Sequence, residues 1–203
     1  VGVVMVLLTE SLFAYVLYEY FKIFFERKNM KGIFLYIYFI SVLVQFALRY
    51  VPDNMAYIRL ITTILFLFTI SFFYIGGMGE KIVFSFLYVA MGMFGEALVG
   101  CAVLAFGMGR EKQGDIWGIV TYLIMLMIIK ILQWFFKNEM IHELSWKTNL
   151  KMMLLPLGSM FLAHRIFYAQ YEMGIKGFYP NTILSILILL GLNIIVFNIY
   201  IQL

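Results

Sequence analysis

The sequence predicts an all-α, polytopic transmembrane bundle of about seven spans, with the N-terminus outside and the C-terminus in the cytoplasm. Composition is the first reason. Of 203 residues, 64% are hydrophobic and 13% charged, with a mean hydropathy of +0.96; soluble domains are about 45–50% apolar and about 25% charged. Too few polar side chains remain to coat a surface facing water. Continuity is the second reason. The apolar stretches often run about 20 residues, the length a helix needs to cross a bilayer. A membrane barrel shows short segments of alternating polarity instead. In hydrocarbon the backbone must satisfy its own hydrogen bonds, which selects helices.

The spans follow in order as one domain covering 1–203. Val1–Phe25 is the first. It lacks the positive leader and cleavage site of a signal peptide and is too long for one. Gly32–Leu48 is the second, and Met55–Phe73 the third, after the turn Val51-Pro52-Asp53-Asn54. Ile82–Phe106 is the fourth, after Gly76-Gly77-Met78-Gly79. Ile116–Phe136 is the fifth, after the polar run Gly107–Asp115. Met152–Tyr168 is the sixth, with Pro156 kinking or starting it. Asn181–Leu203 is the seventh, opened by Pro180, which suits a first helical turn. The connection Lys137–Lys151 is basic and amphipathic, and its Ile141, Leu144, Trp146 and Leu150 suit a membrane surface.

Lys and Arg set the orientation. Nine of them, including the clusters Arg27-Lys28-x-x-Lys31 and Lys137…Lys147…Lys151, lie on one side, and six on the other. The richer side is read as cytoplasmic. The net charge of +4 is small and dispersed, which argues against nucleic acid as a partner.

Ionisable groups inside spans are costly and are functional candidates by default. Arg59 and Arg165, the latter beside His164, fall near the outer ends of their spans, Gln45 in an outer part, Glu10 in an outer half, and Glu96 from the middle outward. Together they are expected to line a ligand cavity open to the outside. Each also has a plainer role. Arg59 and Arg165 suit snorkelling to headgroups, and Glu10 and Glu96 suit structural ion pairs. Glu19 and Lys130, in the inner halves of their spans, are expected to form a structural salt bridge.

Other motifs carry less. Met140-Ile141-His142-Glu143-Leu144 has the His-Glu pair of a phosphoacceptor site, but it sits in a short loop between spans. Cys101 is the only cysteine, so no internal disulfide forms. A Cys/His peptidase would need a base within hydrogen-bond reach of that thiol, and His142 falls on the opposite side of the membrane. Ala97-x-x-x-Cys101-x-x-x-Ala105, with Gly92, Gly95 and Gly100, makes a thin helix suited to close packing. No metal, cofactor or catalytic pattern is present.

Three passages resemble the membrane sensor region of accessory gene regulator-type quorum-sensing histidine kinases, which carry a GHKL ATPase domain. The first is Tyr74-Ile75-Gly76-Gly77-Met78-Gly79-Glu80-Lys81 running into Phe86-Leu87-Tyr88 and Glu96. The second is Lys151-Met152-Met153-Leu154-Leu155-Pro156-Leu157-Gly158-Ser159. The third is Leu192-Asn193-Ile194-Ile195-Val196-Phe197-Asn198-Ile199-Tyr200. The resemblance implies a bacterial plasma-membrane receptor acting as a homodimer. Its ligand would be an extracellular secreted peptide. Its last span would lead to a cytoplasmic kinase module, absent from these residues, that acts on a response regulator. Asn193 and Asn198 on that span are the expected signal relay. The alternatives are the substrate-binding membrane component of a small-molecule uptake transporter, an intramembrane peptidase and a membrane scaffold.

Overall fold

Helices form where the apolar runs stand. The computed structural model describes residues 2–28, 32–49, 51, 55–105, 114–136, 145–172 and 180–202. Among them are α1 (Gly2–Phe24), α2 (Ile33–Arg49), α3 (Ala56–Ser71), α4 (Met78–Ala105), α5 (Gly114–Phe135), α6 (Trp146–Glu172) and α7 (Pro180–Gln202). Local chemistry explains several ends. Ser145 caps α6, accepting from the Thr148 amide at 3.3 Å, which satisfies one of the free N–H groups of the first turn. Pro180 is the first residue of α7, where a missing N–H costs nothing. His142 and the polar run 107–113 lie outside the described residues.

The class is all-α, and four of the described helices are long and apolar enough to cross a membrane: Val4–Phe24, Met78–Val103, Ile116–Trp134 and Thr182–Tyr200. These point to a membrane location. The other three of the seven expected spans differ for identifiable reasons. α2 has 17 residues and α3 has 16, about 24–26 Å at about 1.5 Å per residue, against a hydrocarbon core of about 30 Å. α6 is long, at 27 residues. However, only Met152–Ala163, between Lys151 and His164, is free of ionisable groups. It also starts earlier than its apolar run, so Trp146 and Leu150 belong to the helix and not to a preceding surface loop; both are exposed. Pro156 lies within α6 and does not start it.

The exterior is apolar, as lipid requires. Leu43, Trp134, Leu154 and Met127 are each about two-thirds exposed or more, on a scale that would be a liability in water. With lipid outside, hydrophobicity does not sort residues inward; close packing and polar contacts do. α4 is the most enclosed helix. In its most apolar stretch 67% is buried, against 28% for both α5 and α7. It packs against α3, α5, α6 and α7, while α1 packs on α2 and α5. Gly92 and Gly95 bring α4 close to Met125 and Thr121 of α5.

A small antiparallel pairing closes one end of the bundle. Strand β1 (Glu26–Arg27) follows α1, and β2 (Tyr74–Ile75) precedes α4, with Glu26 opposite Ile75 and Arg27 opposite Tyr74. Beneath it lies an aromatic cluster. The Tyr74 ring stacks on Phe21 at 5.3 Å, and Phe84 meets Phe24 at 4.2 Å and Phe197 at 5.6 Å. Gly76 turns the chain from β2 into α4 at φ +155°, and a Cβ there would stand 2.6 Å from a Phe25 ring carbon. Only glycine takes that conformation without strain. Gly76→Ala is therefore expected to lower the thermal denaturation midpoint in detergent by several degrees, about 1–3 kcal/mol. Gly191→Ala, whose Cβ meets nothing within 4 Å, is expected to hold or raise it. Equal midpoints for the two variants would contradict the turn geometry.

Candidate functional site

A cavity of about 980 Å³ opens among α1 to α6. Each of these helices contributes wall. Phe13 comes from α1, Gln45 and Leu48 from α2, and Arg59, Leu60 and Thr63 from α3. Tyr88, Val89, Gly92, Met93 and Glu96 come from α4, Thr121, Tyr122 and Met125 from α5, and Leu157, Met160, Phe161 and His164 from α6. Among the described residues, α7 contributes none of the lining. The wall is mostly apolar with a few polar groups, the usual composition of a small-molecule pocket.

Depth follows from position along α4. Tyr88 is eight residues before Glu96, about 12 Å lower at about 1.5 Å per residue. Tyr88, Met125 and Phe13 therefore form the deep part. Glu96, Arg59, Gln45 and His164 form the polar rim, with Gln45 and Arg59 near the ends of α2 and α3 and Glu96 and His164 more than two turns inside α4 and α6. Phe13 packs against Tyr88 at 6.4 Å and Tyr122 at 5.3 Å. Tyr88 is 3% exposed, and its hydroxyl has no hydrogen-bond partner among the described residues.

Of the five sequence-predicted ligand residues, Gln45, Arg59 and Glu96 line this cavity. Arg59 also has a structural contact, since its Nη2 donates to the Val51 carbonyl just past the end of α2. Glu96 and His164 are exposed, and Gln45 is half-buried. Glu10 is buried at 6% exposure and is not in the cavity wall. Arg165 is exposed and is likewise outside the wall. Cys101 is buried and does not reach the cavity in which His164 stands.

Glu19, Lys130 and Asn193 form ties between helices. Lys130 Nζ stands 3.3 Å from Glu19 Oε2, and Lys22 Nζ 3.7 Å from Glu19 Oε1. Gln133 Nε2 also donates to Glu19, at 2.9 Å. Because Lys130 is half exposed, the ion pair itself contributes little, about 0–1 kcal/mol. Asn193 is buried, and its Nδ2 donates to Ser159 Oγ at 2.8 Å and to the Leu189 carbonyl at 2.8 Å. Asn198 is half-buried.

One polar cluster has no counterpart in the sequence reading. Glu80 at the start of α4 accepts from Asn149 Nδ2 of α6 at 3.3 Å, and the Tyr200 hydroxyl of α7 donates to Asn149 Oδ1. All three side chains are at most 3% exposed. A Cβ on Gly79 would collide with the Asn149 amide, so glycine is what admits α6 this close. Among the described residues there is no group of His, Cys, Asp or Glu suited to hold a metal ion.

Comparison with protein-family models, with curated proteins and with solved structures finds no match. A double-mutant cycle on Ser159→Ala and Asn193→Leu measures the α6–α7 tie. The expected coupling in detergent unfolding is about 0.6–1 kcal/mol, the range of hydrogen bonds between membrane helices. Strict additivity would show that the two side chains do not interact.

Proposed function

We propose that this chain is the multi-pass sensor domain of a plasma-membrane receptor. It takes an extracellular ligand into the α1–α6 cavity and passes the bound state to a cytoplasmic module through α7. The observation that carries the reading is the cavity itself, with Gln45, Arg59, Glu96 and His164 at its rim and an apolar interior. In the orientation set by Lys and Arg, the rim faces outward and α7 ends in the cytoplasm.

The polar ties support a relay. Leu157 and Met160 are in the cavity wall, and Ser159 between them holds Asn193 of α7. A ligand that resets α6 therefore alters the seat of α7. At the other end Asn149 and Tyr200 tie α6 to α7 again. A ligand shifts such an arrangement only by binding one state better than the other, so breaking the tie changes the resting balance as well as the response. Homodimerisation and a histidine kinase as the cytoplasmic module belong to this reading as what the family resemblance adds.

Fusions placed after Leu203 in the native chain test the orientation. A fluorescent protein there is expected to glow and alkaline phosphatase to be inactive; the reverse pattern would sink the receptor reading. Asn193→Leu is expected to shift basal output of the full signalling protein several-fold, about the effect of a 1 kcal/mol bias. Unchanged basal and stimulated output would remove α7 from the relay. A small polar molecule retained on purification, together with an ATPase partner, would favour the uptake-transporter alternative.

A further inference from the structure

The end of the bundle closed by the β1–β2 pairing holds a covered cation without an anion. Lys81, in the first turn of α4, is 5% exposed. Among the described residues no carboxylate pairs with it and no acceptor takes a hydrogen bond from it. Its ammonium stands over the Phe72 ring, 5.2 Å from the centroid. That nitrogen is not one of the sealed polar atoms, so it keeps an opening to its surroundings. A second cation, Lys28, is close enough for its charge to act on Lys81. The fold sets it there, because the Lys28 amide donates to the Phe73 carbonyl at 3.2 Å, next to the ring that Lys81 covers. Glu80 also acts on Lys81, but its carboxylate is engaged by Asn149 of α6.

A lysine that merely snorkels ends in water with its charge free. Lys81 is instead covered and held beside a like charge, which is costly until an anion lies between the two. The surroundings favour one kind of anion. Phe72, Ile75 and Met78 are exposed apolar side chains, and Met78, three residues before Lys81, shares its helix face. We propose that Lys81 and Lys28 bind the phosphate of an anionic phospholipid whose acyl chains lie against Phe72, Ile75 and Met78. In the orientation set by Lys and Arg this is the cytoplasmic leaflet, where such lipids are concentrated. Each lysine near the surface favours an anionic lipid about fivefold. Glu96 at the cavity rim is 15 residues further along α4, about 22 Å away, so this site stands apart from the ligand cavity and does not rest on the receptor reading.

Phosphatidylglycerol and phosphatidylcholine, each with a photoactivatable diazirine on an acyl chain, test this on the purified chain in phosphatidylcholine nanodiscs. At equal trace amounts, crosslinks on Phe72, Ile75 or Met78 are expected to be at least about fivefold more abundant with phosphatidylglycerol. Lys81→Met and Lys28→Gln are each expected to lower that ratio about fivefold, and Lys81→Arg to keep it. Lys28 is exposed, so Lys28→Gln reads the site even where Lys81→Met disturbs packing. Lys151→Gln, which removes an exposed charge from the first turns of α6, is expected to keep the native ratio. A native ratio near one would overturn the site. So would a ratio that Lys81→Met and Lys28→Gln lower no more than Lys151→Gln does, since that is the effect of overall charge. Crosslinks suppressed by inorganic phosphate, but not by chloride at the same ionic strength, would overturn the lipid as the ligand and leave a site for soluble phosphate.

Discussion

The enclosure of α4 is the constraint on which the rest depends. Lipid offers no hydrophobic reward for bringing helices together, so a buried helix must be held by close contact and by polar ties. α4 has both. Gly79, Gly92 and Gly95 thin it where Asn149, Met125 and Thr121 approach. Glu80 at its start is held by Asn149, and Tyr20 of α1 reaches its backbone at Phe84. Of the polar side chains on α4, Glu80 meets Asn149, Tyr88 and Glu96 line the cavity, and Ser85 donates back to the Lys81 carbonyl of the same helix.

That arrangement places the cavity and the α7 anchors on common supports. α4 and α6 both line the cavity, and both contact α7. α7 has no wall position of its own. It is tied to the cavity-lining α6 by Asn193 on Ser159 and by Tyr200 on Asn149. Packed interiors tend to hold discrete arrangements and do not deform continuously. In the proposed relay, a change at Leu157 or Met160 would reach α7 as a shift between states.

Much of the fold was legible because lipid solvent simplifies the pattern. Long apolar runs mark α1, α4, α5 and α7 directly. Costly polar residues within such runs marked Gln45, Arg59 and Glu96, which share one cavity. The same rule selected Glu10 and Arg165, which stand outside it, since depth along a helix says nothing of which face a residue occupies. The Glu80–Asn149–Tyr200 cluster was not legible. Its members are 69 and 51 residues apart, and each sits near a span end, where polar residues are ordinary. Nor was the β1–β2 pairing, since two residues per strand carry no periodic signal. Tyr88 was hidden among 14 tyrosines; its distinction is the absence of a hydrogen-bond partner for its hydroxyl among the described residues, which no sequence pattern shows.

The claim that this cavity is watered from outside while the bundle's exterior is not can be measured directly. In a Cys101→Ala background, single cysteines at Thr63 or Met93 in the cavity wall and at Leu65 or Ile131 on the exterior would be exposed to a membrane-impermeant maleimide on intact cells. Thiols react as thiolates, which need water. The account predicts labelling of Thr63→Cys and Met93→Cys and none of Leu65→Cys and Ile131→Cys. Labelling of the exterior pair, or of neither cavity position, would contradict it.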